Sequence, residues 1–149
     1  MSGVGIASHF TFGGYAAHAV EVKVGKDGEL IIQRIVAAVD CGLVINPRGV
    51  EAQLQGGTID GLSTALNLEI TVKNGQIEQS NFNDYPLMRM AQLPAVVESH
   101  ILPYGDTPTG MGEMGLPSLA PALTNAIFNA SGVRIRKLPI KDQLRQAMM

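Results

Sequence analysis

Alternating apolar and polar residues in the first third of the chain predict a pair of antiparallel strands. Valine alternates with charged residues over 20–24, as in a strand with one buried face. Residues 30–40, LIIQRIVAAVD, form a second, largely apolar strand, and the glycine-flanked stretch 25–28 suits the turn between the two. Residues 1–18 are rich in glycine and small residues without a clear period. We expect a strand there that needs a partner from outside the chain.

Two longer helices are predicted, over about 47–66 and 117–130. The first has Asn46 as a good N-cap and a proline at its first position. It also keeps four glycines, each of which lowers helix propensity by roughly 1 kcal/mol relative to alanine. We therefore expect these glycines to allow close approach of another backbone or of a ligand. The second helix opens with a proline, and Gly132 is a plausible stop.

The remaining segments predict a hairpin, a strand, a loop and a short last helix, over 68–79, 95–102, 103–115 and 140–148 respectively. The hairpin is the clearest local signal, because Asn74-Gly75 is the favoured pair for a type I′ turn. This order of elements predicts an α+β fold with a mainly antiparallel sheet. At 149 residues the chain is expected to be a single domain, 1–149, or part of a larger one.

Composition excludes several classes of function. Hydrophobic residues make up 46% and charged residues 16% of the chain, which argues against disorder. The net charge of −2 and the absence of tryptophan give no nucleic-acid footprint. One cysteine, Cys41, excludes an internal disulfide and a cysteine-cluster metal site. The sequence carries neither a signal-peptide pattern nor an apolar run of about 20 residues, and it leaves open whether the compartment is the cytoplasm or the periplasm.

The most informative stretch for chemistry is GMGEMGLPSLAPALTNAIF, residues 110–128. Glu113 lies in a glycine-rich loop that leaves room for another group to approach its carboxylate. The positive end of the following helix favours an anion there by roughly 0.3–1 kcal/mol. Two interpretations follow from the residues alone: Glu113 caps or solvates a turn, or it is a general base at a pocket.

Three further candidates are weaker. Gln53 and Gln55 lie beside glycines in the first predicted helix and either contact a polar ligand or lie on a solvated face. Cys41 is expected to be a buried structural thiol, because no histidine is near it in sequence. The sequon at Asn129 is discounted because it falls at a helix end.

Three segments together resemble a known family, the molybdenum hydroxylases, which include xanthine dehydrogenase and aldehyde oxidase. They are VDCGLVINPRGVEAQLQGGTIDGLSTAL at 39–66, EQSNFNDYPLMRM at 78–90 and GMGEMGLPSLAPALTNAIFNASGVRIRKLPI at 110–140. Their order and spacing are similar to those in the large subunits of isoquinoline 1-oxidoreductase-type enzymes and related bacterial aldehyde dehydrogenases. The likeness runs from about Gly3 to Leu144 and covers only the C-terminal part of such a large subunit.

The resemblance implies roles for three positions. Glu113 would be the catalytic base in the hydroxylation of an electron-poor carbon, and Gly112 would leave space for cofactor and substrate. Gln53 would contact the pterin of the molybdenum cofactor; with a shift of two residues in the likeness, Gln55 would make that contact. The cofactor implied for the full enzyme is molybdopterin, and we expect the chain alone to bind none and to supply no metal ligand.

Three hypotheses therefore stand. The chain is a piece of a molybdenum hydroxylase that contributes the base, a noncatalytic folded module or assembly partner from that family, or a small ligand-binding domain unrelated to molybdenum. Under the first, the expected partners are the rest of the large subunit, an iron–sulfur small subunit and a small-molecule substrate. We also expect the chain alone to be inactive and to self-associate through surface meant for the missing part.

Overall fold

The computed structural model describes residues 1–102 and 104–149 and has an α+β architecture. Pro103, the first residue of the predicted loop 103–115, lies outside the described residues. The strands are β1 Ser2–Thr11, β2 Gly14–Val24, β3 Leu30–Asp40, β4 Val72–Lys73, β5 Gln76–Ile77 and β6 Val96–Ile101. The helices are α1 Pro47–Leu66, α2 Leu119–Ser131 and α3 Gln143–Met148, with a 3₁₀ turn at Met90–Gln92.

The main sheet has four strands in the order β1-β2-β3-β6. β1, β2 and β3 pair antiparallel, and β6 pairs parallel with β3. The predicted, mainly antiparallel sheet is therefore confirmed, with one parallel pair added. A parallel neighbour needs a crossover connection, which α1 provides between β3 and β6.

The expectation of an outside partner for residues 1–18 is wrong. β1 pairs along its whole length with β2, and the two strands are joined by a two-residue turn at Phe12-Gly13. Both turn residues have positive φ, 51° and 83°, as a type I′ hairpin turn requires. Phenylalanine is an uncommon residue at positive φ, so the turn carries none of the usual Asn-Gly signal.

Both longer helices cover one face of the sheet, α2 over β1 and β2 and α1 over β3 and β6. Gly3 and Gly5 on β1 make the closest approach. A Cβ on Gly3 would lie 2.5 Å from the backbone of α2, so only glycine fits there. Asn125 and Asn129 of α2 donate from Nδ2 to the β1 carbonyls of Ile6 and Val4 at 3.2 and 2.7 Å.

The helix ends follow their local chemistry. Asn46 caps α1 through its side-chain oxygen, which accepts from the Gly49 amide at 3.2 Å. Gly132 ends α2 in the left-handed conformation at φ 76°. α2 begins at Leu119, two residues later than predicted, because residues 113–116 form a turn in which the Leu116 amide donates to the Glu113 carbonyl.

The second hairpin is shorter than the predicted segment 68–79. Only β4 and β5 pair, and Asn74 and Gly75 between them have φ of 52° and 78°. The predicted turn is therefore confirmed, whereas the flanking residues are irregular.

Candidate functional site

Glu113 lies on the rim of an open cleft of about 570 Å³ between α1, the β1–β2 turn and the loop before α2. Its side chain is exposed. The other lining residues are mostly glycine or apolar, with one further carboxylate: Thr11, Phe12, Gly56, Gly57, Asp60, Gly112, Leu116 and Pro117. The predicted loop glutamate therefore faces a real concave surface. Among the residues that the structure describes, it is lined by two carboxylates and no cationic side chain.

The loop takes this path because its next two residues are held against α1. Met114 is fully buried beside Leu54, at 0% exposure. Gly115 packs so closely on α1 that an added Cβ would lie 2.7 Å from the Leu54 carbonyl oxygen. A buried anchor followed by a backbone contact leaves Glu113, one residue earlier, pointing outward. The sequence Glu-Met-Gly thus sets the side chain's position through packing.

Gln53 meets the same loop from α1. Its Nε2 donates to the Gly112 carbonyl at 3.4 Å, and the side chain is otherwise exposed. Gln55 instead donates to the Glu51 carboxylate at 3.4 Å, one turn back along the helix surface. Of the two glutamines, the structure places Gln53 next to Gly112 and Glu113.

A second pocket of about 310 Å³ lies on the other side of Gln53 and is also lined by Asn46, Cys41 and Thr109. The Thr109 hydroxyl is buried and has no hydrogen-bond partner among the described residues. Cys41 is 3% exposed, and burial, with Asp40 as a second cause, raises the pKa of its thiol. The predicted burial of the Cys41 thiol is therefore confirmed, and its raised pKa keeps it neutral near pH 7.

Of the four glycines of α1, Gly49 packs beside the N-cap Asn46, and the other three lie near the loop or the cleft. Gly57 and Gly61 receive the loop, since an added Cβ would come within 3.3 Å of Gly115 and 3.2 Å of the Leu116 oxygen. An added Cβ on Gly56 would meet nothing within 4 Å, because this residue faces the open cleft. The predicted close approach to backbone is confirmed for Gly57 and Gly61. Gly56 instead leaves a stretch of helix backbone open to a bound ligand.

A buried polar cluster beneath the cleft was not predicted. His18 on β2 lies between Ser118, at the start of α2, and Thr58 on α1. The three residues are 40 and 100 positions apart in sequence, so no local pattern joins them. The one available signal is a histidine at an inward-facing position of an alternating strand.

Two classes of feature are absent from the residues that the structure describes. No group of three or more His, Cys, Asp or Glu side chains there could hold a metal ion. None of the described helices has both the length and the apolar character needed to cross a membrane.

Comparison with known proteins identifies the family. Residues 4–94, more than half of the chain, match the molybdopterin cofactor-binding domain, and the chain belongs to that family. The matched segment includes Gln53 and ends before Glu113. The predicted resemblance to the molybdenum hydroxylases is confirmed.

Curated relatives and solved structures agree with this assignment. The beta subunit of isoquinoline 1-oxidoreductase from Brevundimonas diminuta is 37% identical over 121 residues, covering 81% of this chain and 15% of that protein. A nicotinate dehydrogenase subunit from Pseudomonas putida is 32% identical over 136 residues, covering 90% of this chain and 12% of the relative. The chain thus spans less than a sixth of the length of these relatives.

The fold itself recurs in aldehyde oxidoreductase from Desulfovibrio desulfuricans, with a TM-score of 0.76 and 26% identity over 91% of this chain and 15% of that one. Quinoline 2-oxidoreductase from Pseudomonas putida 86 has a TM-score of 0.79 at 24% identity, over 91% of this chain and 18% of that one.

Proposed function

We propose that this chain is part of a molybdenum-cofactor oxidoreductase that hydroxylates N-heterocycles or oxidises aldehydes, and that Glu113 is its catalytic base. One observation carries the proposal: an exposed carboxylate on the rim of a glycine-lined cleft, one residue from the carbonyl that Gln53 contacts. The named substrates of the relatives, isoquinoline and nicotinate among them, supply the substrate class.

The residues present suit a pterin cofactor. Gly56 and Gly112 leave their backbones open to an approaching group, since a Cβ on Gly112 would have only the Gln53 amide nitrogen near it, at 3.8 Å. Gln53 offers an exposed amide, and the unpartnered Thr109 hydroxyl lines the adjoining pocket. Such neutral donors and acceptors suit a polar, hydrogen-bonding ring system. When bound, the cofactor would supply the electron-accepting chemistry.

The chain's own contribution to the reaction is positioning and proton transfer. Gln53 would orient the cofactor by a hydrogen bond, and Gly112 would keep a side chain out of the space between cofactor and carboxylate. A Glu113 oxygen would accept a proton from a hydroxyl or water within hydrogen-bond reach. The apolar lining of Phe12, Leu116 and Pro117 would exclude water around the substrate.

The test of the base is Glu113→Gln in the assembled enzyme, since this substitution keeps the shape of the side chain and removes its ability to take a proton. We expect kcat to fall by a factor on the order of 10²–10⁴ with cofactor content unchanged. The matched control is Glu51→Gln, whose carboxylate lies on the α1 surface beside Gln55 and should retain full activity. Turnover that survives Glu113→Gln would show that the assignment of the base is wrong.

The second candidate is a noncatalytic folded module or assembly partner of the same family. The apolar side chains exposed on β1, with Ile6 at 67% and Phe10 at 59%, favour an assembly surface. The same Glu113→Gln experiment separates the two candidates, because a noncatalytic module tolerates the substitution. In either case the expected partners are the remainder of a large subunit and an iron–sulfur small subunit. With Cys41 as its one cysteine, this chain cannot itself hold such a cluster by thiolates.

A further inference from the structure

His18 on β2 joins α1 to the start of α2. Its ring is 1% exposed, with Nδ1 2.8 Å from Ser118 Oγ and Nε2 2.9 Å from Thr58 Oγ1. Thr58 directly follows Gly57, and Ser118 directly follows Pro117, and both of these preceding residues line the cleft. One side chain therefore ties the α1 wall of the cleft to the wall formed by the loop of Glu113.

The hydrogen bonds assign the protons of this cluster. The Thr58 hydroxyl donates to the Leu54 carbonyl at 2.7 Å, so toward His18 its oxygen can only accept. Nε2 of His18 must then carry the ring proton. Burial lowers the pKa of His18 to about 4, so the ring is neutral near pH 7 and its Nδ1 is an acceptor. Ser118 consequently donates to Nδ1, and the direction of every bond in the chain of groups is fixed.

Ser118 serves this cluster rather than its own helix. Serine at the start of a helix usually caps it by accepting from a backbone amide, but Ser118 makes no such side-chain bond. Its hydroxyl is directed at His18 instead. The segment between Glu113 and Ser118 is short and closed by the bond from the Leu116 amide to the Glu113 carbonyl at 3.1 Å. A displacement of Ser118 would therefore be transmitted to Glu113.

We propose that His18 is a positioning residue for Glu113, acting through Ser118 and the turn at 113–116 to hold the carboxylate at the cleft. This inference rests on the proposed function of Glu113. His18 itself lies in the core and is not among the residues that line the cleft. A histidine that merely filled space in the core would contribute to stability without affecting the geometry of the base.

The first test reads the cluster directly in the unsubstituted protein. Nitrogen-15 NMR of the full chain labelled at histidine distinguishes the two neutral tautomers and the charged ring. We expect the His18 ring to be neutral near pH 7 and still neutral near pH 5, with its proton on Nε2. A proton on Nδ1, or a charged ring for His18, would overturn the proposal, because the Ser118 hydroxyl could then not donate to Nδ1.

The second test is a double-mutant cycle in the assembled enzyme. Ser118→Ala and His18→Leu are each made alone and together with Glu113→Gln. If His18 acts through Glu113, each substitution lowers kcat by a factor on the order of 10–100 in the parent, with a smaller effect on KM. In the Glu113→Gln background each should change kcat less than about twofold.

Controls separate positioning from a general loss of packing. Leu144→Ala removes a fully buried α3 side chain from the main core cluster and should lower stability without changing kcat. His18→Gln, which can both donate and accept, should recover part of the loss seen in His18→Leu. His18 would be only a core residue if its substitution lowered kcat by the same factor in the parent and in the Glu113→Gln background. A fall in kcat of the same size in Leu144→Ala would lead to the same conclusion.

The outcomes also distinguish a failure of the proposed base, Glu113, from a failure of the positioning role of His18. Full activity in Glu113→Gln would overturn the proposed base and, with it, the role of His18. Loss of activity in Glu113→Gln with no effect of Ser118→Ala would leave the base in place and overturn the role of His18 alone. Because Ser118→Ala removes a single oxygen, it keeps the test informative even if His18→Leu fails to fold.

Discussion

His18 couples the stability of the chain to pH. Its pKa is lowered from 6.5 to about 4 by burial, so between these values the unfolded chain binds a proton that the folded chain does not. The free energy of unfolding therefore falls as the pH falls from about 6.5 to about 4, by up to about 3 kcal/mol. Above about pH 6.5 the free energy of unfolding has its full value, because the His18 ring is then neutral in both the folded and the unfolded chain.

Urea unfolding at about pH 7 and about pH 4.5 measures this effect. His18→Gln should show a smaller loss of stability between the two pH values than the parent, because glutamine does not titrate. His9→Gln is the matched control, since His9 is exposed and its replacement should leave the difference unchanged. The same loss in His18→Gln and the parent would contradict the assignment.

At the scale of single residues, the sequence predicts what is local. The N-cap at Asn46, the turn at Asn74-Gly75 and the stop at Gly132 depend on backbone chemistry within four residues, and the structure has all three. Glu113 stands out because glycines flank it, but its outward direction depends on the burial of Met114 against α1. That contact joins residues 60 positions apart, and no local rule predicts it.

At the scale of elements, Gly56→Ala should separate the stability of α1 from the function of the cleft. An alanine there meets nothing within 4 Å, so the helix should gain up to about 1 kcal/mol. The added methyl group projects into the cleft, where we expect it to weaken cofactor binding in the assembled enzyme. Thermal unfolding and molybdenum content measure the two effects.

Thr64→Ala provides the control for α1, because Thr64 is also exposed on the helix but lines neither pocket. It should raise stability by a few tenths of a kcal/mol and leave molybdenum content unchanged. Equal molybdenum content in Gly56→Ala and the parent would show that this part of the cleft is not occupied by the cofactor.

Which strands pair with each other is harder to predict from the sequence than which segments form strands. The end of β2, over 20–24, and the segments of β3 and β6 follow from alternation and apolar runs. The parallel pairing of β6 with β3 depends instead on the crossover through α1. The β1–β2 turn has Phe12 at positive φ, which residue preferences disfavour. Tertiary contacts, including the bond from the Gly110 amide to the Phe12 carbonyl at 3.3 Å, override that preference.

At the scale of the whole molecule, we expect the chain alone to have no hydroxylase activity. Glu113 lines an open cleft and Gln53 an adjoining open pocket, and a cofactor held on one side would bind weakly. Mass spectrometry of the purified chain should find far less than one molybdenum per chain, and a dye-linked assay should find no oxidation of an N-heterocycle or an aldehyde. Activity of the pure chain would overturn this expectation.

The same chain should self-associate. Val4, Ile6, Phe10 and Tyr15 are each more than half exposed on adjacent strands β1 and β2, an arrangement typical of a surface that is covered in an assembly. Light scattering should report species larger than a monomer, and Ile6→Lys should reduce them. Val72→Lys, at an equally exposed position on β4, should have a weaker effect. A monomeric parent chain would contradict this prediction.

Gly3 and Gly5 pack directly on the backbone of α2, so the first hairpin is covered only after α2 has been synthesised. β1 leaves the ribosome more than a hundred residues before the helix that covers it, so the inner face of the first hairpin stays uncovered while those residues are made. Docking of α2 is then a late, long-range step. Pulsed hydrogen exchange during refolding should find β1 and α2 gaining protection together, and protection of β1 well before α2 would contradict this. Until α2 docks, we expect the nascent chain to depend on chaperones.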